Sequence, residues 1–209
     1  MANYLIEFRF SGYAKKYLKQ TIFEVSKKFK VKGALNKHVV PHITMFGPFN
    51  TNNEWKVVST FHKICKKHTL IPFELKGFGN FHNRVIFVEI IPSNELKLFR
   101  KELSKELTNM RDFFIFKTIK TKGVSDYEEH YPFHATIAFK DIQSKFNSIF
   151  NYLRSRKNPH IYQKLLRLTL LRDGKILYEY DFIQRRLLNR RDALNKLVWR
   201  KTISRLKNE

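Results

Sequence analysis

Pro41-His42-Ile43-Thr44-Met45-Phe46 is the stretch on which the reading of the whole sequence turns. A second stretch, Pro132-Phe133-His134-Ala135-Thr136-Ile137-Ala138-Phe139, repeats its pattern. Each carries a histidine two residues before a threonine, within a run of apolar and β-branched residues of the kind that forms strands. On a strand, residues two apart share a face. His42 and Thr44 therefore point one way, and Ile43 and Met45 the other. His134 and Thr136 stand opposite Ala135 and Ile137 in the same manner. Each strand has an apolar side for a core and a polar side presenting an imidazole and a hydroxyl.

The elements around the two stretches recur in the same order. Tyr4 to Phe10 alternates as a strand does, and Ser11 is a candidate cap for a helix whose stripe is Ala14, Leu18, Ile22, Val25 and Phe29. That helix is expected to end at Lys32-Gly33. The first histidine strand, His38 to Phe46, is expected to break at Gly47-Pro48. A helix with Trp55, Val58, Phe61 and Cys65 on its apolar face follows. Next comes a hairpin, Ile71 to Phe81 and Arg84 to Ile91, turning at His82-Asn83. Then the order repeats. Ser93 or Asn94 opens a helix carrying Leu96, Phe99, Leu103, Leu107 and Met110, and a strand covers Phe113 to Ile119. The polar loop Lys120 to His130 leads into the second histidine strand. Asp141 caps a helix with Ile142, Phe146, Ile149, Phe150 and Leu153. Ile161 to Leu171 and Lys175 to Phe182 form a second hairpin about Asp173-Gly174. The halves match at an offset of roughly 90 residues, in pattern and not in letters. The expected fold is α+β: two lobes of antiparallel sheet plus helices, related by a pseudo-two-fold axis, with one histidine strand from each facing a shared cleft.

The chain has 209 residues and 43% hydrophobic content, as a globular protein does. Its single cysteine, Cys65, cannot form an internal disulfide and points to a reducing compartment. It also excludes zinc sites built on several thiolates. With no signal peptide at Met1 to Glu7 and no apolar run near 20 residues, a cytoplasmic protein without a membrane partner is expected. The formal charge of +23, from 41 Lys+Arg against 18 Asp+Glu, is a field that attracts polyanions such as RNA. Residues 184–209 concentrate it. Arg185, Arg186, Arg190, Arg191, Lys196, Arg200, Lys201, Arg205 and Lys207 are interleaved with Leu187, Leu194, Leu197, Val198 and Leu206. This reads as a basic amphipathic helix. It covers one lobe or extends an RNA-binding surface. The expected division is a bilobal domain, 1–183, and a basic C-terminal helical extension, 184–209.

At its two His-x-Thr motifs, His42-Ile43-Thr44-Met45 and His134-Ala135-Thr136-Ile137, the sequence resembles the 2H phosphoesterase superfamily, in particular its 2′-5′ RNA ligase-like (LigT-type) branch. The resemblance runs through about Phe182 and leaves out the basic tail. It implies a bilobal fold around a central groove. It implies opening of 2′,3′-cyclic phosphate ends of RNA, and in some members reversible 2′-5′ joining. It implies no cofactor and no metal.

The chemistry of the residues agrees. Opening a cyclic phosphodiester requires a proton removed from the attacking water and one supplied to the departing ribose oxygen. Two imidazoles on opposite sides of the phosphate can do both near neutrality. Thr44 and Thr136 can donate to the non-bridging oxygens without competing for those protons. Which histidine is acid and which base is not legible in the sequence. Phe46, Phe49, Tyr131 and Phe133 flank the motifs as candidates to stack a terminal base, and Lys140 as a candidate for the RNA backbone. His38, His62, His68, His82, His130 and His160 are assigned no role. The alternatives are an RNA-binding protein with little catalytic role and a 2H esterase for a small cyclic nucleotide. A monomer is expected.

Overall fold

The computed structural model describes residues 1–32, 40–108, 113–114 and 132–207. Its strands are β1 (Ala2–Arg9), β2 (His42–Thr51), β3 (Ile71–Phe81), β4 (Val85–Pro92), β5 (Phe113–Phe114), β6 (His134–Phe139), β7 (His160–Leu165), β8 (Arg167–Arg172), β9 (Lys175–Asp181) and β10 (Arg186–Asn189). Its helices are α1 (Gly12–Phe29), α2 (Glu54–Lys67), α3 (Asn94–Thr108), α4 (Phe146–Arg154, after a 3₁₀ turn at Gln143–Lys145), α5 (Arg190–Leu194) and α6 (Lys196–Leu206).

The strands form two antiparallel sheets, ordered β10-β9-β8-β1-β2-β5 and β6-β4-β3-β7. The triplet β8-β1-β2 in one matches β3-β4-β6 in the other, each ending on a His-x-Thr strand. The expected α+β architecture with two related lobes is therefore present. The halves of the sequence are woven together, however. The hairpin β3-β4, from the first half, carries the second histidine strand. The strands β8-β9, from the second half, join the sheet of the first. Neither lobe is closed by one half of the chain alone.

Helices α2 and α3 pack on the apolar face of the first sheet and against each other. There Tyr4, Ile6, Phe8, Leu168, Leu170 and Tyr180 are almost wholly buried. This leaves the opposite face of that sheet polar.

Four local readings change. Gly47-Pro48 does not end the first histidine strand. The strand continues to Thr51 through a cis Gly47-Pro48 bond, with Gly47 at φ 101°. A side chain at Gly47 would press on the Tyr4 carbonyl at 3.0 Å, so glycine lets β1 and β2 stay paired. The run Ile161 to Leu171 is two strands, which part at Leu166 to join different sheets. On α2 the buried stripe is Val57, Phe61, Ile64 and Cys65, while Trp55 is 80% exposed. The Asp141 carboxylate accepts from the Lys32 amide at 2.6 Å, tying the end of β6 to the end of α1.

The basic tail is not a single helix. β10 extends the first sheet before α5 and α6 begin. Leu194 and Leu197, expected on the apolar stripe, are 61% and 66% exposed. Helix α6 is held instead by Thr202, which is fully buried. Its hydroxyl accepts from Arg167 Nη2 at 2.6 Å and from Gln184 Nε2 at 2.9 Å, and it donates to Asp181. Arg167 also meets Asp181 at 2.9 Å and Glu179 at 3.4 Å. This network fastens the C-terminal helix onto the polar face of the first sheet. The strand expected over Phe113 to Ile119 is described only at its start. Met110, the Lys120–His130 loop, Tyr131 and His38 lie outside the described residues.

Candidate active site

β2 and β6 lie on separate sheets and pack against one another. His42 and Thr44 fall at the start of β2, and His134 and Thr136 at the start of β6. All four side chains are half-buried, and the residues between them, Ile43 and Ala135, are buried. Strict alternation on a strand produces this pattern.

Both imidazoles are held in the same way. Nδ1 of His42 lies 2.9 Å from the carbonyl of Val40, and Nδ1 of His134 lies 2.9 Å from the carbonyl of Pro132. A carbonyl only accepts, so each Nδ1 carries the hydrogen and each neutral ring keeps its lone pair on Nε2. Two strands of different sequence fix the same tautomer by the same bond, two residues back along the chain.

The surroundings of the two rings differ. In the pairing of β1 with β2, Glu7 stands opposite Thr44 and Arg9 opposite His42. In the pairing of β4 with β6, Phe87 stands opposite Thr136 and Glu89 opposite His134. The pseudo-symmetry thus puts the carboxylate of Glu7 where the second lobe has the ring of Phe87. Glu7 is 3% exposed, takes the Arg9 guanidinium at 2.6 Å and lies 3.8 Å from Nε2 of His42. A proton on His42 would face an anion.

His134 has Phe81 edge-on at 4.9 Å and Phe87 at 5.2 Å between ring centroids. Burial pushes its pKa down, and the nearby charges of Arg100 and His42 act the same way, against the opposing bond to Pro132.

Phe87 keeps its position because residue 79 is glycine. A Cβ there would come within 2.5 Å of the Phe87 ring and 2.8 Å of the Glu89 carboxylate. Gly79, Phe81 and Phe87 thus form the wall behind His134.

The flanking candidates fare differently from the motif residues. Phe46 and Phe49 are 1% and 0% exposed, with no ring face open to a base. Phe46 has the sequence parity of Thr44, but a bulge intervenes: Glu7 pairs with Thr44 while Ile6 pairs with Phe46. The extra residue turns Phe46 into the core. Phe133 is 8% exposed, with the Arg100 guanidinium 4.3 Å above its ring. These three aromatics are core residues and not stacking platforms. Lys140 sits at the far end of β6, about 20 Å along the strand from His134, with its ammonium over the Phe139 ring. The structure does not bring it to the histidines. Tyr131 lies outside the described residues. Glu7, Arg9, Phe81 and Phe87 were not singled out in the sequence. The available signal was Glu7 and Arg9 on one face of a strand whose other face is apolar. Among the described residues, no group of three or more His, Cys, Asp or Glu side chains is gathered for a metal ion. No helix among them is long and apolar enough to cross a membrane.

With this geometry in view, the family model described as the 2′-5′ RNA ligase superfamily matches residues 23–175, most of the chain and both histidine motifs. The chain belongs to the 2′-5′ RNA ligase superfamily. It is a 2H phosphoesterase of the LigT type, as its motifs indicate. Among solved structures, TT0787 of Thermus thermophilus aligns with a TM-score of 0.56 at 11% identity, over 86% of this chain and 97% of that one. At that identity the likeness speaks to the fold alone. Looser matches include E. coli LigT complexed with 3′-AMP, with a TM-score of 0.46 at 11% identity, covering 90% of this chain and 92% of that one. Usb1 of Kluyveromyces marxianus aligns with a TM-score of 0.44 at 11% identity, over 84% and 95%. No curated protein matches the sequence. The superfamily match ends at residue 175, before β10, α5 and α6.

Proposed function

We propose that the protein opens 2′,3′-cyclic phosphate ends of RNA, with His134 as general base and His42 as general acid. The observation that carries this reading is the matched pair of imidazoles on adjoining strands, each with Nδ1 tied to a carbonyl at 2.9 Å, which leaves Nε2 to take a proton in the base and to carry one in the acid. The cyclic phosphate lies between the rings. His134, kept neutral by its aromatic surroundings, takes a proton from the attacking water. His42 delivers a proton to the departing ribose oxygen, and Glu7 steadies the ring while it carries the positive charge. Thr44 and Thr136 donate to the non-bridging oxygens, where charge builds up in the transition state. A 5′-hydroxyl in the place of the water, with each histidine keeping its role, gives 2′-5′ joining, and by microscopic reversibility the roles exchange when that bond is cleaved back to the cyclic phosphate. The net charge of +23 favours RNA over a small cyclic nucleotide as substrate.

The test is incubation of a short RNA carrying a 2′,3′-cyclic phosphate with chelator present, for wild type and for the H42A/H134A double variant. Conversion to a linear phosphate by wild type alone is the expected result. No conversion by wild type, with salt-sensitive RNA binding retained, would favour the RNA-binding protein without catalysis.

A further inference from the structure

A cavity of about 340 Å³ lies on the polar face of the first sheet, beside His42. Its near wall includes Val40, whose carbonyl holds the His42 ring, and Arg9, which pairs with His42 across the strands. Its floor includes Arg167 and Glu179, and its rim the exposed Lys15. The far wall is Trp199 of α6. That tryptophan lies beyond the segment shared with the superfamily. Its place is nonetheless fixed, because Thr202 pins α6 to Arg167 and Asp181, and the Arg167 guanidinium lies 4.8 Å from the Trp199 ring.

We infer that this cavity is a subsite for the ribonucleotide preceding the terminal one. The inference rests on the reading of His42 and His134 as the catalytic pair. A polymer held by its terminal phosphate at His42 must continue somewhere, and this cavity shares Val40 and Arg9 with the immediate surroundings of that ring. Its volume is near the lower end of ligand pockets and suits one nucleotide. It holds two groups that a single-stranded nucleotide uses: the Trp199 ring, with Arg167 over one face and the other to take a base, and the exposed Lys15 for the backbone phosphate. Beyond Trp199 the basic residues continue along α5 and α6 through Arg190, Arg191, Arg200 and Lys201, all exposed, so the track of positive charge does not end at the cavity. The C-terminal segment thus makes the enzyme prefer a chain to a mononucleotide.

The chain has two tryptophans, and Trp55 is 80% exposed on α2. In a W55F variant all tryptophan emission therefore comes from Trp199. An RNA oligonucleotide ending in a 3′-phosphate should change that emission saturably, and a nucleoside 3′-monophosphate, too short to reach the cavity, should not. In parallel, kcat/KM is measured for an oligonucleotide and for a nucleoside 2′,3′-cyclic phosphate. Wild type should prefer the oligonucleotide. W199A should lower that preference on the order of tenfold, the loss of one base stack. W199F, which keeps an aromatic face, should retain most of it and so guard against mere detachment of α6. Binding of the oligonucleotide, followed by anisotropy, without a change in Trp199 emission would overturn the subsite. So would equal preference in wild type and W199A while both still open the cyclic phosphate, and in that case the catalytic reading stands. If wild type opens neither substrate and RNA leaves Trp199 unaltered, both readings fall.

Discussion

Replacing Gly79 with alanine tests whether the wall behind His134 positions the base. The added Cβ would sit 2.5 and 2.7 Å from two carbons of the Phe87 ring and 2.8 Å from Glu89 Oε1. The ring must retreat by about 1 Å to reach ordinary contact, which begins at 3.4 Å. It has little room to do so. Phe87 is 4% exposed, with Phe81 at 4.4 Å and His134 at 5.2 Å between ring centroids. The displacement passes to the imidazole. Misplacing a catalytic group by about 1 Å costs on the order of a hundredfold in rate, whereas overpacking costs about 1–3 kcal/mol of stability. G79A should therefore remain folded, with kcat for cyclic phosphate opening down on the order of a hundredfold and RNA affinity little changed. Adding Phe87→Leu should recover part of the rate by making space. Single-turnover kinetics alongside thermal denaturation separate the two effects. A G79A enzyme with wild-type kcat would refute the argument that Phe87 sets the His134 ring.

Three further outcomes follow from the same geometry. Because burial lowers the pKa of His134 and the base must be neutral, the acidic limb of the kcat/KM profile should fall below the usual imidazole value of about 6.5. Phe87→Asn, which admits water, should move that limb upward, and a wild-type limb at or above the usual value would count against His134 as base. Glu7→Gln removes the anion 3.8 Å from His42 and should slow opening about fivefold while sparing RNA binding. An unchanged rate would dismiss Glu7 from the mechanism. Thr202→Val strips partners from Arg167, Gln184 and Asp181 at once and should cost about 1–3 kcal/mol, read as a lowered melting temperature. No shift would mean that α6 is not held as described.

What the sequence disclosed was what its local chemistry encodes. The turns at His82-Asn83 and Asp173-Gly174 are explicit because both residues of each adopt positive φ, which Asn, Asp and Gly tolerate best. The His-x-Thr strands are explicit because alternation fixes their faces. The parting of strands at Leu166 is not, since a buried apolar run looks the same whether it stays in one sheet or crosses to another. The bulge that turns Phe46 inward depends on a shift in pairing with β1, which alternation along β2 alone does not contain. Glu7, Arg9, Phe81 and Phe87 reach the site only through cross-strand register, so they became visible once partners were known. The burial of Thr202 is hidden for a related reason. It looks like one polar position on a basic helix until Arg167, Asp181 and Gln184 are found beneath it.

The most direct test of the two-histidine account is the pH dependence of opening an RNA 2′,3′-cyclic phosphate by wild type, H42A and H134A. The account predicts a bell for wild type and a loss of roughly 10²–10⁴-fold in each variant. H134A should lose the acidic limb and H42A the basic one. A variant that keeps the wild-type rate, or two variants that lose the same limb, would contradict it.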